Sequence, residues 1–163
     1  MIRGAGTTPA EKGTAMARVE WKRILCPVDF SETARAAMET AIELAARFDA
    51  EVVLVHAYPI PGYTFPDGAA VASSRMLQDL ADEAARHLEE WRGLAVKAGA
   101  KRVSVETAVG DPAGEIVRVA ADKQVDLVVM GTHGRTGIEH ALMGSIAERV
   151  VRRAKCPVLT VRR

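Results

Sequence analysis

Fifteen residues, Gly131 to Ser145, read GTHGRTGIEHALMGS. They follow the apolar run Asp126-Leu-Val-Val-Met130 and precede Ile146-Ala-Glu-Arg-Val150, where a helical pattern begins. Strand, glycine-punctuated loop and helix is an arrangement by which α/β proteins hold phosphate. Glycine allows positive φ and close backbone approach, while a helix start presents unpaired N–H groups and the positive end of its dipole. The spacing departs from the better-known templates. No Gly-x4-Gly-Lys-Ser/Thr occurs, so there is no P-loop lysine, and Gly131, Gly134 and Gly137 do not give Gly-x-Gly-x2-Gly.

The elements that must position this loop show in the periodicity. Lys22–Val28 and Glu51–Tyr58 are β-branched and apolar, as strands buried on both faces tend to be, and Lys101–Val109 is a weaker, more alternating strand. Asp126–Met130 and Pro157–Arg162 complete five. Between them, Ala34, Met38, Ala41, Ala45 and Phe48 recur at helical spacing after a Ser31 cap, and Leu77, Leu80, Ala84, Leu88, Trp91, Ala95 and Ala98 make a long stripe. Asp111-Pro112 caps and opens a third helix to about Lys123, and Ser145-Ile-Ala-Glu148 reads as a capping box for a fourth. Such alternation predicts one doubly wound α/β domain, a five-stranded parallel sheet with helices on both faces. Pro59–Gly68 is the long connection, of the kind that often serves as a lid or binding loop.

In open parallel sheets the ligand crevice lies beyond the carboxyl ends of the strands, where the strand order reverses. The first strand ends in Pro27-Val28-Asp29-Phe30-Ser31 and the fourth in Met130-Gly131. If the two are neighbours, Asp29 faces the glycine loop and is placed to accept hydrogen bonds from a ribose or adenine, with the phosphates held by the loop and the Ser145 helix start. Each residue has a plainer role beside this one. Ser145 is a helix cap, Asp29 caps the first helix together with Ser31, and Gly131 and Gly134 serve the turn. His133 acts through its side chain or only its backbone, and Arg135 meets a terminal phosphate or water. His56 reads as a hydrogen-bonded core or interface residue; His87 and His140 have no partner at metal-ligand spacing.

Composition bounds the function. The chain of 163 residues is about one domain, and a formal net charge of +1 with dispersed basic residues gives no case for nucleic acid. Aromatics are scarce, and no apolar run approaches a membrane span. Cys26 and Cys156 fall on strands separated by a third, ~10 Å apart and beyond disulfide reach. Both read as small buried side chains, and unpaired thiols fit a reducing, cytoplasmic setting. Residues 1–19 carry no signal-like apolar stretch and are expected to form a flexible arm.

The loop does match Gly-x2-Gly-x9-Gly-Ser, as Gly131, Gly134, Gly144 and Ser145. With Lys22-Arg-Ile-Leu-Cys-Pro-Val-Asp-Phe-Ser31, Gly110-Asp-Pro112 and Lys155-Cys-Pro-Val-Leu-Thr-Val161 in order, the chain from about residue 21 to 163 resembles the universal stress protein family. The resemblance implies a Rossmann-like sheet of order 3-2-1-4-5, a homodimer through the last strand, Pro157 to Val161, and ATP as ligand, with AMP or cyclic AMP as alternatives and Mg²⁺ carried on the phosphates. It places Pro27, Val28 and Asp29 on adenine and ribose and Ala57 as a small wall beside the base. Met130, Gly131, His133 and Gly134 would line the nucleoside and first phosphates, and Gly144, Ser145 and Ile146 would present N–H groups to the rest.

Three functions compete: an ATP-binding regulatory protein, an ATP-consuming enzyme and a dimeric scaffold with an empty site. Beyond Asp29 there is no carboxylate pair or lysine at the proposed phosphate end, and neither Ser-Gly-Gly-x-Asp-Ser nor His-x-Gly-His occurs. The complete glycine motif disfavours the scaffold. The expectation is a regulatory ATP binder with little or no dedicated catalysis.

Overall fold

The computed structural model describes residues 20–59, 73–133 and 143–162, and the backbone of 63–65 and 68–70. The arm over residues 1–19, and Gly134, Arg135, Gly137 and His140 of the glycine loop, lie outside the described residues. In chain order the elements are β1 (Arg23–Pro27), α1 (Glu32–Phe48), β2 (Glu51–Tyr58), β3 (Tyr63–Phe65), β4 (Gly68–Ala70), α2 (Ser74–Lys97), β5 (Val103–Val109), α3 (Pro112–Asp122), β6 (Leu127–Gly131), α4 (Ser145–Arg153) and β7 (Val158–Val161).

Five strands form one sheet in the order β5-β2-β1-β6-β7, all neighbours parallel. Counted among the sheet strands alone this is 3-2-1-4-5, as the resemblance implies. Strands β1, β2 and β6 are central, which is why their side chains are apolar in both directions. Ile24, Cys26, Val52, Leu54 and Val129 pack under α1 and α2, while Leu25, Val53, Val55, Val128 and Met130 pack under α3 and α4. Strand β5 lies at one edge and is half-buried over most of its length, which accounts for its weaker, alternating pattern. Among the described residues no helix is long and apolar enough to cross a membrane.

The helix starts follow from their caps. Ser31 accepts from the Ala34 N–H and opens α1, which buries Ala34, Met38, Ala41 and Ala45. Asp111 accepts from the Gly114 N–H with Pro112 in the first turn of α3. Ser73, which the periodicity did not single out, caps α2 through the Met76 N–H.

Four expectations need correction. Ser145 does not cap α4: Gly144 holds the cap position with no side-chain bond, and Ser145 is the first helical residue. The α2 stripe ends at Ala95, because Ala98 is the exposed residue at the helix end. Cys156 lies before β7, not on it, and is only half-buried, whereas Cys26 is fully buried and its thiol is pushed up to about 12 by desolvation. The connection after β2 is not plain loop, since it carries the antiparallel pair β3 and β4.

The amino ends of the strands are tied by charge. The Asp126 carboxylate accepts from the Lys22 and Arg23 N–H groups at 2.7 and 2.9 Å, joining β1 to β6. Glu51 at the start of β2 accepts from Ser104 Oγ at 2.6 Å and Arg23 Nε at 3.2 Å. The Ser104 hydroxyl, aided by Arg23, holds the Glu51 carboxyl below its ordinary value. The unfolded chain therefore binds more protons at this site as pH falls through about 4.3. Stability is full above that value and declines as pH drops through the lower folded one. Glu51→Gln is expected to flatten the acid limb of the urea midpoint between about pH 5 and 3; an acid limb identical to wild type would remove Glu51 from the pH dependence.

Candidate functional site

At the carboxyl ends of the neighbouring strands β1 and β6 the chain leaves in opposite directions, α1 onto one face of the sheet and α4 onto the other. The gap between them is a cleft of about 280 Å³. Pro27, Val28 and Asp29 line it from the end of β1 and the turn after it, Ala57 from β2, Met130, Gly131 and His133 from the end of β6 and the segment after it, and Gly144, Ser145 and Ile146 from the start of α4. Of the residues that the resemblance places on a ligand, Gly134 lies outside the described residues, and the others all line this cleft. The fold adds Ala34, Val55, Pro112, Ile116, Thr132 and Ala147 to its walls. Pro112 and Ile116 stand one helical turn apart at the start of α3, a signal present in the Gly110-Asp-Pro motif but assignable only once α3 is known to point at the crevice.

The glycine loop is pinned at its base. Gly144 donates its N–H to the Thr132 carbonyl at 2.7 Å, and Thr132 donates to Val161 at 2.9 Å. Thr132 is itself buried, and its hydroxyl lies 3.1 Å from His133 Nδ1. This closure sets where α4 begins. Gly144 has φ −72° and ψ 155°, and among the described residues the helix it opens has no side-chain cap bond. By contrast, α1, α2 and α3 are each capped by a side chain. A bare helix start beside a cleft leaves donors and dipole directed at whatever occupies it.

The two described glycines of the motif sit where a side chain would be crowded. Neither Gly131 nor Gly144 has positive φ. A Cβ on Gly131 would come 2.8 Å from Thr33 Cγ2, and one on Gly144 would come 3.1 Å from the Thr132 carbonyl oxygen. The first lets α1 close on the end of β6; the second lets the loop base close.

Asp29 accepts two hydrogen bonds from Ser31. Its Oδ1 accepts from the Ser31 hydroxyl at 2.6 Å and the Ser31 N–H at 3.2 Å, so it orients the α1 cap from the rim of the cleft. Across the cleft, Arg149 on α4 donates both guanidinium nitrogens to Asp111, at 2.8 and 2.6 Å, tying the starts of α3 and α4 together. Arg149, followed by the Gly114 N–H, holds the Asp111 carboxyl below its ordinary value. Among the described residues no three His, Cys, Asp or Glu side chains gather as metal ligands.

This architecture is that of the doubly wound, Rossmann-like α/β class, with its crevice at the switch point. Sequence comparison narrows the class: the model of the universal stress protein family matches residues 20–162, and the chain belongs to that family. A universal stress protein of Methanocaldococcus jannaschii is 39% identical over 145 residues, covering 88% of this chain and 83% of its own length. The structure of universal stress protein UspA from Lactobacillus plantarum is similar at a TM-score of 0.74 and 26% identity, covering 88% of this chain and 99% of that one. A universal stress protein crystallised in complex with cAMP is similar at a TM-score of 0.67 and 27% identity, over 88% and 98% of the two chains.

The close approach at Gly131 is testable. Gly131→Ala is expected to cost about 1–3 kcal/mol in urea unfolding, because its Cβ would come 2.8 Å from Thr33 Cγ2 and 3.3 Å from the Thr33 and His133 backbones. Adding Thr33→Ser, which deletes the nearest methyl but leaves the backbone contacts, should recover part of the loss, and a Gly131→Ala variant as stable as wild type would contradict the packing argument.

Proposed function

We propose that this protein binds an adenine nucleotide, ATP foremost, in the cleft between β1 and β6, and that occupancy of the site has a regulatory role in the stress response. The observation that carries the reading is the bare start of α4 opening on that cleft, in a fold whose other helices are capped by their own side chains. Phosphates would take the N–H groups of Ser145 and Ile146 beside Gly144, with Gly134 and His133 on the loop side. Ribose and base would lie against Pro27, Val28, Asp29, Ala57, Met130 and Gly131. A family member crystallised with cAMP supports an adenine ligand. Mg²⁺ would ride on the phosphates, since the described wall offers Asp29 as its carboxylate.

Binding without dedicated turnover suits the wall chemistry. Phosphoryl transfer needs a positioned nucleophile or base and fixed positive charge at the leaving group. Asp29 and His133 are the titratable side chains among the described lining residues, and Asp29 is engaged with Ser31. We assign the protein to the cytoplasm from its unpaired thiols.

Titration calorimetry of nucleotide-stripped protein with ATP and Mg²⁺, against GTP, tests the reading. Saturable heat with ATP and none with GTP is expected, whereas a site for phosphate alone would take both. Asp29→Asn keeps Oδ1 for Ser31 and changes the charge facing the cleft; it should hold the melting temperature and weaken ATP about tenfold or more. Absence of heat and of any thermal shift with ATP would leave the cleft without this function.

The same reading includes a homodimer. Strand β7 is a sheet edge with Leu159 39% exposed and Val151 on neighbouring α4 43% exposed, a surface suited to a second copy of itself. Light scattering of the purified chain should return twice the monomer mass, and a monomer at micromolar concentration would reject the dimer.

A further inference from the structure

Asp29 stands between two residues that are held from β2 and α2. Val28 before it donates its N–H to the Val55 carbonyl at 2.8 Å, and its own carbonyl lies 2.7 Å from His56 Nδ1. A carbonyl only accepts, so Nδ1 carries the hydrogen and donates it. Both peptide groups of Val28 are thus bound by consecutive residues of β2. Phe30 after it has φ 66°, the left-handed region that an aromatic residue adopts rarely and only under outside constraint.

That constraint is visible. The Phe30 ring lies 4.4 Å from the His56 ring at 40°, and it meets His87 at 5.3 Å and Trp91 at 5.7 Å in edge-on contacts from α2. Trp91 is buried and carries the Arg35 guanidinium 5.6 Å from its ring centre, so the far wall of this pocket is braced in turn by α1. His56 takes part on both sides of Asp29, through its nitrogen on Val28 and through its ring on Phe30.

We propose that His56 is a positioning residue of the nucleotide site: by holding the Val28 carbonyl and the Phe30 ring it fixes the turn that aims Asp29 into the cleft. The proposal rests on the nucleotide reading given above, but its geometric half concerns the protein without ligand. His56 sits on the sheet face under α1 and α2, away from the cleft wall formed by Val55 and Ala57, so its effect on ligand passes through the turn. The same contacts make α2 a mechanical neighbour of the site.

Two substitutions separate its functions. His56→Phe keeps a ring against Phe30 and deletes the donor, leaving the Val28 carbonyl unpaired; His56→Asn keeps a donor near the Nδ1 position and deletes the ring. ATP titration should show His56→Phe about tenfold weaker than wild type and His56→Asn within about threefold, a margin under 1 kcal/mol. In nucleotide-free protein, NMR hydrogen exchange of the Ser31 amide, which is bonded to Asp29, should speed up in His56→Phe and not in His56→Asn. Wild-type affinity and exchange in His56→Phe, or equal losses in both variants, would overturn the proposal. If wild type itself takes no nucleotide, the nucleotide reading fails, and the exchange comparison still decides the positioning. Phe30→Gly is the check should His56→Phe not fold: glycine tolerates the positive φ, and without the ring Ser31 exchange must rise, an unchanged rate again rejecting the idea.

Discussion

The structure depends on one topological constraint: β1 and β6 are parallel neighbours whose following helices must cover opposite faces of the sheet. Both central strands are apolar on both sides, so neither face can be left bare, and the two exits must diverge. Divergence leaves a gap that no side chain of the core fills. Every other feature of the cleft is a way of ending strands and starting helices around that gap. Asp29 and Ser31 start α1, Asp111 and Pro112 start α3, and Gly144 starts α4.

These starts are not equivalent. A helix needs partners for its first N–H groups, and a side-chain cap supplies one locally. Where α1 and α3 use serine and aspartate, α4 uses glycine, whose own N–H is already committed to the Thr132 carbonyl. A side chain there would press on that same carbonyl. The closure of the loop and the bareness of the helix therefore have a single cause: the residue that lets the chain close is the one that cannot cap. Arg149 then holds the exposed helix start against α3 through Asp111, so the donors are displayed from a braced element.

Much of this is legible in the sequence, and the failures are instructive. Strands buried on both faces announce themselves by unbroken apolar runs, and Ser31 and Asp111 cap where their spacing to the apolar stripe requires. Ser145 misled because Ser-x2-Glu is a capping-box pattern whose reading assumes that nothing else determines the helix start. Here the Thr132 bond does, one residue earlier. Gly131 suggested a turn, but its need for glycine comes from Thr33, a neighbour almost a hundred positions away in the chain. Cys156 fell off its strand because an edge strand has pairing on one side to define its length. Phe30 was invisible in principle: local propensity argues against an aromatic residue at φ 66°, and only the tertiary contacts with His56, His87 and Trp91 overrule it.

Under the proposed reading, the two ends of the site are built from different physics. The phosphate end relies on backbone N–H groups and a helix dipole, which carry no titratable proton and tolerate changes of side chain provided the glycines keep the chain close. The nucleoside end relies on one carboxylate whose direction is set through Ser31, Val28 and Phe30. Substitutions therefore act differently at each. At the phosphate end, damage comes from adding atoms, because the donors belong to the main chain. At the nucleoside end it comes from removing them, and it can start as far off as α2, because Asp29 is aimed by a turn whose unusual backbone is held by rings from another helix. A regulatory site gains from that asymmetry: one end that binds by geometry common to many anions, and one whose alignment the rest of the fold can alter.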